Sequence, residues 1–168
     1  FPVVRASSLF YYAKGGDVAQ ILYAMKYHAR KKLCYRMGEY MAGELCDSGF
    51  FEGIDYLLPV PLFSSRLRQR GYNQSELLAR GISRVTGIPL CTDAVVRSRN
   101  NATQTHKSGY ARWQNVDRLF LSTPHAANLH DKHILLVDDV LTTGATLVAC
   151  ADALLGVENI KISVLTLA

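Results

Sequence analysis

His133-Ile134-Leu135-Leu136-Val137-Asp138-Asp139-Val140-Leu141-Thr142-Thr143-Gly144-Ala145-Thr146 is the stretch on which the fold turns. Ile134 to Val137 have the length and composition of a strand buried on both faces, as in a parallel sheet. Two adjacent carboxylates end it, and a short loop of small and hydroxylated residues follows. From Ala145 to Gly156 a helix is expected, because Leu147, Val148, Ala151, Leu154 and Leu155 recur at spacings that make one apolar face. The first turn of a helix leaves N–H groups unpaired and carries partial positive charge. A Thr-Thr-Gly-Ala-Thr turn lets the backbone approach an anion closely, and its hydroxyls add donors, so it suits a phosphate. Two carboxylates beside it would repel phosphate alone. They suit a ligand that carries hydroxyls, or a divalent cation, next to its phosphate, and a sugar phosphate meets that demand. A capped helix beside a solvated acidic pair is the plainer reading, and it stays open at this point.

Outward from this stretch, strand composition recurs at Ile54–Val60, Leu90–Val96, Val116–Leu121 and Ile160–Leu167. Phe1 to Gly16, with Tyr11, Tyr12 and Gly15-Gly16, reads as a strand or hairpin edge and then a turn. Val18, Ile21, Leu22 and Met25 follow Asp17 at helical spacing, with Asp17 as cap and Gln20 three residues on. Leu33, Met37, Met41 and Leu45 form the stripe of a second helix from about Lys32 to Ser48, stopped by Gly49. Pro59-Val60-Pro61-Leu62 must end the strand before it, since proline cannot donate to a sheet ladder. Asn73 and Glu76 stand in capping-box relation to a helix from Gln74 to about Thr86, closed by Gly87 and Pro89.

Asn100 to Gln114 is polar and has no apolar period, so it reads as a long loop, and such a run inside a compact domain is usually functional or mobile. Ser122 to Asp131 reads as another loop. Strands alternating with helices predict a three-layer α/β/α domain with a mainly parallel central sheet, one domain over 1–168 with a helical N-terminal part over 1–50. Ligands of such sheets sit beyond the carboxyl ends of the strands, where the Asp pair falls.

Composition bounds the rest. A chain of 168 residues, 49% hydrophobic, can bury a real core. No apolar run reaches membrane-spanning length and no signal-peptide layout opens the chain, which predicts a cytoplasmic protein. It begins Phe1-Pro2 rather than with Met, so a preceding piece is left open. Cys34, Cys46, Cys91 and Cys150 are scattered without a C-x-x-C pair, and are expected to be reduced thiols that pack as small hydrophobes. The net charge is +5, and most of the basic residues fall between Lys26 and Arg118. A positive middle suits a diphosphate ligand or nucleic acid. No glycine loop ends in Gly-Lys-Ser/Thr and no G-x-G-x-x-G follows a strand, which argues against nucleotide-binding loops of those kinds.

Val137 to Thr146 resembles the phosphoribosyl-diphosphate (PRPP) loop of the type I phosphoribosyltransferases. Pro59-Val60-Pro61-Leu62, Arg66 to Arg70 with Gly71-Tyr72-Asn73-Gln74, Lys26-Tyr27, Thr103-Gln104-Thr105, Arg112 and Asn115-Val116 are similar, in order, to the ComF competence-protein family within them. The resemblance covers nearly the whole chain and implies the type I phosphoribosyltransferase fold. It further implies that Asp138 and Asp139 bind the ribose hydroxyls as the catalytic acidic pair. Leu141, Thr142, Thr143, Gly144, Ala145 and Thr146 would take the 5′-phosphate, and Pro59, Val60, Pro61 and Leu62 the diphosphate. Residues 97–115 would form a flexible hood, with Arg97, Arg99 and Lys107 as its candidate contacts to diphosphate, and Arg70 and Lys26 are further basic candidates for the ligand site. Mg²⁺ would be held mainly by PRPP, with Asp138 and Asp139 as further ligands. The partners implied are PRPP, a nucleobase acceptor, and single-stranded DNA or a competence helicase; a homodimer is left open. Family members commonly begin with a cysteine-rich zinc-binding segment, and nothing of that kind stands in these residues: either that region was removed or this is a short branch, and contacts carried by it are not implied for this chain. The function implied is PRPP-dependent phosphoribosyl transfer linked to DNA uptake or nucleotide salvage, or PRPP sensing without turnover by a DNA-binding accessory.

Overall fold

The structure, a computed structural model, describes residues 2–27, 30–98 and 119–168. The chain runs through β1 (Val3–Ser8), α1 (Asp17–Tyr27), α2 (Lys31–Cys46), β2 (Tyr56–Pro59), α3 (Ser64–Arg70) and α4 (Gln74–Thr86). It continues through β3 (Val95–Arg97), β4 (Phe120–Ser122), a 3-10 turn (Pro124–Leu129), β5 (His133–Asp138), α5 (Ala145–Asp152) and β6 (Lys161–Thr166). The main sheet has the order β1-β6-β5-β2 with every pairing parallel, and β3 and β4 form a separate antiparallel pair.

The period-two alternation of a strand sorts the core into two layers. Leu135 and Val137 of β5 join Leu57 and Leu165 under α1, α2 and α4, while Ile134 and Leu136 join Leu58, Ile162 and Val164 under α5 and the 3-10 turn. All four central side chains of β5 are fully buried; burying such a side chain stabilises by roughly 1.5–3 kcal/mol. Apolar residues on both faces are what a strand covered from both sides needs, so the three-layer α/β/α expectation holds.

On one face α4 crosses α2 at very close range. A Cβ at Gly38 would collide with the Leu78 carbonyl, and one at Gly81 with the Tyr35 carbonyl. Glycine is poor in a helix interior by about 1 kcal/mol relative to alanine. Here it is what lets the two backbones touch, and it fixes α4 firmly on the layer beneath it.

Several local expectations are corrected. Within the helical N-terminal part expected over 1–50, the strand read into Phe1 to Gly16 is β1, which lies in the sheet beside β6. Asp17 is the first residue of α1 rather than its cap. Arg66 to Arg70, for which the sequence implies no element, lie within a helix, α3, that carries no buried residue and so leaves no apolar period to read. Glu76 pairs with Arg80 one turn on, at 2.7 Å, rather than closing a capping box, although Asn73 does cap α4. The helix after Ala145 ends at Asp152 rather than Gly156. Leu90 makes only an isolated parallel bridge to Leu57, and the strand proper begins at Val95. Pro124–Leu129 is a 3-10 turn where a loop was expected. Cys34, Cys91 and Cys150 are buried free thiols and Cys46 is exposed. No helix among the described residues is long and apolar enough to cross a membrane.

Candidate functional site

The connections place the site. Beyond β2 the chain passes through α4 to Leu90, which bridges β2 on its outer side, away from β5. Beyond β5 it passes through α5 to β6, on the opposite side. Adjacent strands whose chains leave in opposite directions open a crevice at their carboxyl ends. Pro59–Leu62 and Asp138-Asp139 both lie at this one.

The proline turn is tied down from two sides. The Val60 N–H donates to the Val137 carbonyl at 2.9 Å. The Asn73 side chain donates through Nδ2 to the Val60 carbonyl at 3.0 Å, and its Oδ1 accepts from the Ser75 N–H at 3.1 Å. Asn73 therefore caps α4 and holds Pro59–Leu62 with the same amide.

The acidic pair is enclosed, with Asp138 8% and Asp139 3% exposed, which excludes the plainer reading of a solvated pair. The Ser75 hydroxyl and the Asp139 N–H both donate to Asp138 Oδ1, each at 2.9 Å. Lys26 Nζ lies 3.1 Å from Asp139 Oδ2. That oxygen makes no directed hydrogen bond among the described residues, so charge rather than bond direction holds it. Burial pushes the Asp138 carboxyl up from 3.8 to about 7, and the Asp139 charge adds to this. The Asp139 N–H, the Ser75 hydroxyl and Lys26 pull the other way.

The turn that follows is open. Leu141, Thr142 and Thr143 are exposed, and Gly144 takes φ +76°, a left-handed conformation that favours glycine, just before α5 starts. Thr143 Oγ accepts from the Ala145 N–H at 3.4 Å. The Leu141 N–H donates to the Ala168 carbonyl at 2.6 Å, and the Ala168 N–H to the Asp139 carbonyl at 3.2 Å, so the chain beyond β6 pins the start of the turn. Ala145 is exposed and Thr146 half-buried in the first turn of α5, the part of a helix whose N–H groups lack partners.

The basic candidates part company. Lys26 faces Asp139 across the end of α1. Two contacts seat that helix end: the Tyr72 hydroxyl donates to the Met25 carbonyl at 2.6 Å, and the Arg70 guanidinium stands over the Tyr27 ring at 5.8 Å. Arg70 also donates to Gln74 Oε1. Arg97, at the end of β3, stands over the Phe120 ring at 5.2 Å. Burial lowers its pKa, nearby Arg66 adds to the effect and Asp138 opposes it, so Arg97 lies within electrostatic reach of Asp138. Arg99, Lys107 and the hood expected over 97–115 lie, beyond Ser98, outside the described residues, as do Thr103-Gln104-Thr105, Arg112 and Asn115-Val116.

Ser75 is the site residue that the sequence did not offer. Its position just past a helix cap is ordinary, and its partner lies 63 residues away. Among the described residues no group of three or more His, Cys, Asp or Glu side chains is placed to hold a metal.

The phosphoribosyl transferase domain family matches residues 72–168, which take in α4, β5, the acidic pair and the turn. Competence protein F of Haemophilus influenzae is 38% identical over 108 residues, covering 63% of this chain and 47% of that protein. The chain belongs to the phosphoribosyl transferase family, in its ComF branch. DNA utilization protein YhgH of Escherichia coli K12 is 30% identical over 142 residues, 82% of this chain and 61% of its own length. The ComF-family chain thus spans roughly half to three fifths of the length of these curated relatives. A solved allosteric regulatory enzyme of purine biosynthesis is 19% identical at a TM-score of 0.48, covering 77% of this chain and 25% of that one.

Proposed function

We propose that this domain binds PRPP, with the ribose at Asp138-Asp139, the 5′-phosphate at Thr142–Thr146 and the diphosphate against Pro59–Leu62. One observation carries the reading: an enclosed carboxylate pair stands at the crevice between β2 and β5, directly before an exposed small-residue turn that opens a helix. Carboxylates kept out of water make strong acceptors for sugar hydroxyls, while the turn offers N–H groups to an anion. For a ribose to reach Asp139, the Lys26 ammonium must let go of Oδ2, which frees one cation beside the incoming diphosphate.

Mg²⁺ fits this donor set only as a shared ion. Asp139 Oδ2 makes no directed bond among the described residues and is an oxygen of the right kind, but two carboxylates do not make a cage, and Mg²⁺ ordinarily completes its shell with waters and substrate phosphates. Asp138 and Asp139 are the residues that would hold it, and it would neutralise charge on the leaving diphosphate. In phosphoribosyl transfer, the carboxylates stabilise positive charge developing on the anomeric carbon, Arg66, Arg70 and Arg97 border the leaving diphosphate, and a nucleobase nitrogen is the acceptor.

Calorimetry with PRPP and Mg²⁺ tests binding, and a screen of free bases for diphosphate release tests turnover. Failure to bind PRPP at millimolar concentration overturns the whole assignment; binding without release from any base leaves a PRPP sensor.

A second reading is favoured by one patch. Tyr23 and Tyr27 are exposed with ring centroids 4.8 Å apart, and Arg70 stands over Tyr27. Exposed aromatics among cations suit stacked bases, and the relatives named for competence and DNA utilization point the same way. On this reading the protein is a cytoplasmic accessory of DNA uptake, working beside a helicase and able to self-associate. Single-strand DNA affinity that falls steeply with salt supports it, and no binding at low salt removes it.

A further inference from the structure

The geometry points to the first turn of α4 as a bracket that sets two parts of the ligand site against each other, with Ser75 positioning Asp138 and Asn73 positioning the Pro59–Leu62 turn. The inference rests on the PRPP reading and adds to it two residues that are not themselves ligand contacts.

Four bonds run without a break from one half of the site to the other. The Val60 carbonyl accepts from Asn73 Nδ2 at 3.0 Å, and Asn73 Oδ1 accepts from the Ser75 N–H at 3.1 Å. The Ser75 hydroxyl then donates to Asp138 Oδ1 at 2.9 Å, the same oxygen that accepts the Asp139 N–H. Asn73, Gln74 and Ser75 are among the few buried polar side chains of the described residues, with Ser75 only 1% exposed. A buried hydroxyl aimed at a buried carboxylate fixes which oxygen remains for a ligand, because Oδ1 already accepts two hydrogen bonds.

The bracket has a stiff mount. Gly38 and Gly81 let α4 lie backbone to backbone on α2, so Ser75 and Asn73 are fixed points rather than followers of the ligand. A flexible ligand that must present hydroxyls at one end and diphosphate at the other gains from groups held in register before it arrives. Simple capping would need only the Asn73 acceptor. The Nδ2 bond to Val60 and the Ser75 hydroxyl exceed what the helix end requires.

The test crosses two variants with three probes by calorimetry: PRPP, ribose 5-phosphate and inorganic diphosphate, each with Mg²⁺. Ser75→Ala removes the hydroxyl, and Asn73→Ser keeps a capping oxygen but loses the donor to Val60. Ser75→Ala is expected to weaken PRPP and ribose 5-phosphate about tenfold, the scale of one hydrogen bond to a charged group, while leaving diphosphate within about twofold. Asn73→Ser should do the reverse, weakening PRPP and diphosphate and sparing ribose 5-phosphate. Thermal melts separate site effects from loss of fold, and Ser75→Cys, with a weak donor of similar size, stands in should Ser75→Ala fail to fold. If both variants weaken all three probes equally, or neither changes any, the bracket is overturned while the PRPP reading survives. If the unaltered protein binds no PRPP, that reading falls and the bracket falls with it.

Discussion

The two halves of the candidate site are built in opposite ways. Asp138 and Asp139 are buried, and each is met by a side chain from a distant element, Ser75 of α4 or Lys26 of α1. Thr142 and Thr143 are exposed, and among the described residues the turn's side chains make only one long contact, Thr143 Oγ accepting from the Ala145 N–H. Enclosure and bracing suit a group whose charge and direction must be set before the ligand arrives. Openness suits one whose donors are backbone N–H groups, already directed by the helix that follows. If this contrast is functional, changes on the braced side should be large and specific, and changes on the open side small.

The largest effect is expected at the acidic pair. Asp138→Asn with Asp139→Asn keeps shape and removes charge, and should abolish PRPP binding by calorimetry. The fold should survive, because two carboxylates in poor solvation are replaced by neutral amides; a retained melting transition checks this. Unchanged PRPP affinity in the folded double variant would remove the ribose role.

Next comes the mount of the bracket. Gly81→Ala adds a methyl where the Tyr35 carbonyl lies, so α4 must move off α2. Overpacking of this kind costs about 1–3 kcal/mol, readable as a lower urea midpoint with unchanged slope. A variant as stable as the parent would show that α4 is not stiffly held, and the contrast would lose its physical basis.

The braced side should also respond to pH, with opposite signs for two measurements. Asp138 is raised from 3.8 to about 7, chiefly by burial. Between these values the folded chain keeps a proton that the unfolded chain has released, so this group's stability contribution is full below the ordinary carboxyl range. That contribution is lost as pH rises to about 7 and is flat beyond. PRPP affinity should move the other way, since the ionised carboxylate is the better acceptor for sugar hydroxyls. It should rise by up to about tenfold per unit as pH climbs towards 7 and level off above it. Denaturation and calorimetry from pH 5 to 8.5 give both slopes, and affinity independent of pH would place Asp138 outside the contact.

The contrast also explains what the sequence could disclose. β5, the acidic pair, the turn and the start of α5 are consecutive, so local composition and spacing were enough to read them. The same holds for α4, whose cap, apolar face and closing Gly87 lie within one segment. The bracing was hidden because it joins residues far apart: Ser75 to Asp138, Lys26 to Asp139, Asn73 to Val60. Nothing in a serine after a helix cap announces a partner on another strand. Sequence offers Lys26 only as a basic candidate; that its ammonium faces a carboxylate is set by how α1 docks on Tyr72 and Arg70 rather than by its neighbours in sequence. α3 escaped notice for a different reason. A short helix with no buried residue has no apolar stripe, and periodicity is then silent.

The smallest effect belongs to the open side. Thr143→Ala removes a hydroxyl that is exposed and whose contact with the Ala145 N–H, at 3.4 Å, is long for a hydrogen bond. Loss of a strong helix cap typically costs about 1 kcal/mol, but α5 takes Gly144 as its cap, with no side-chain bond to it. Stability should therefore change by less than about 0.5 kcal/mol, as at surface sites away from special features. The hydroxyl should still count for a phosphate: affinity for PRPP and for ribose 5-phosphate should fall a few-fold, with inorganic diphosphate unaffected. A drop as large as that of the acidic double variant would mean that the turn's side chains, rather than its backbone, hold the ligand, and the division between a braced half and an open half would then fail.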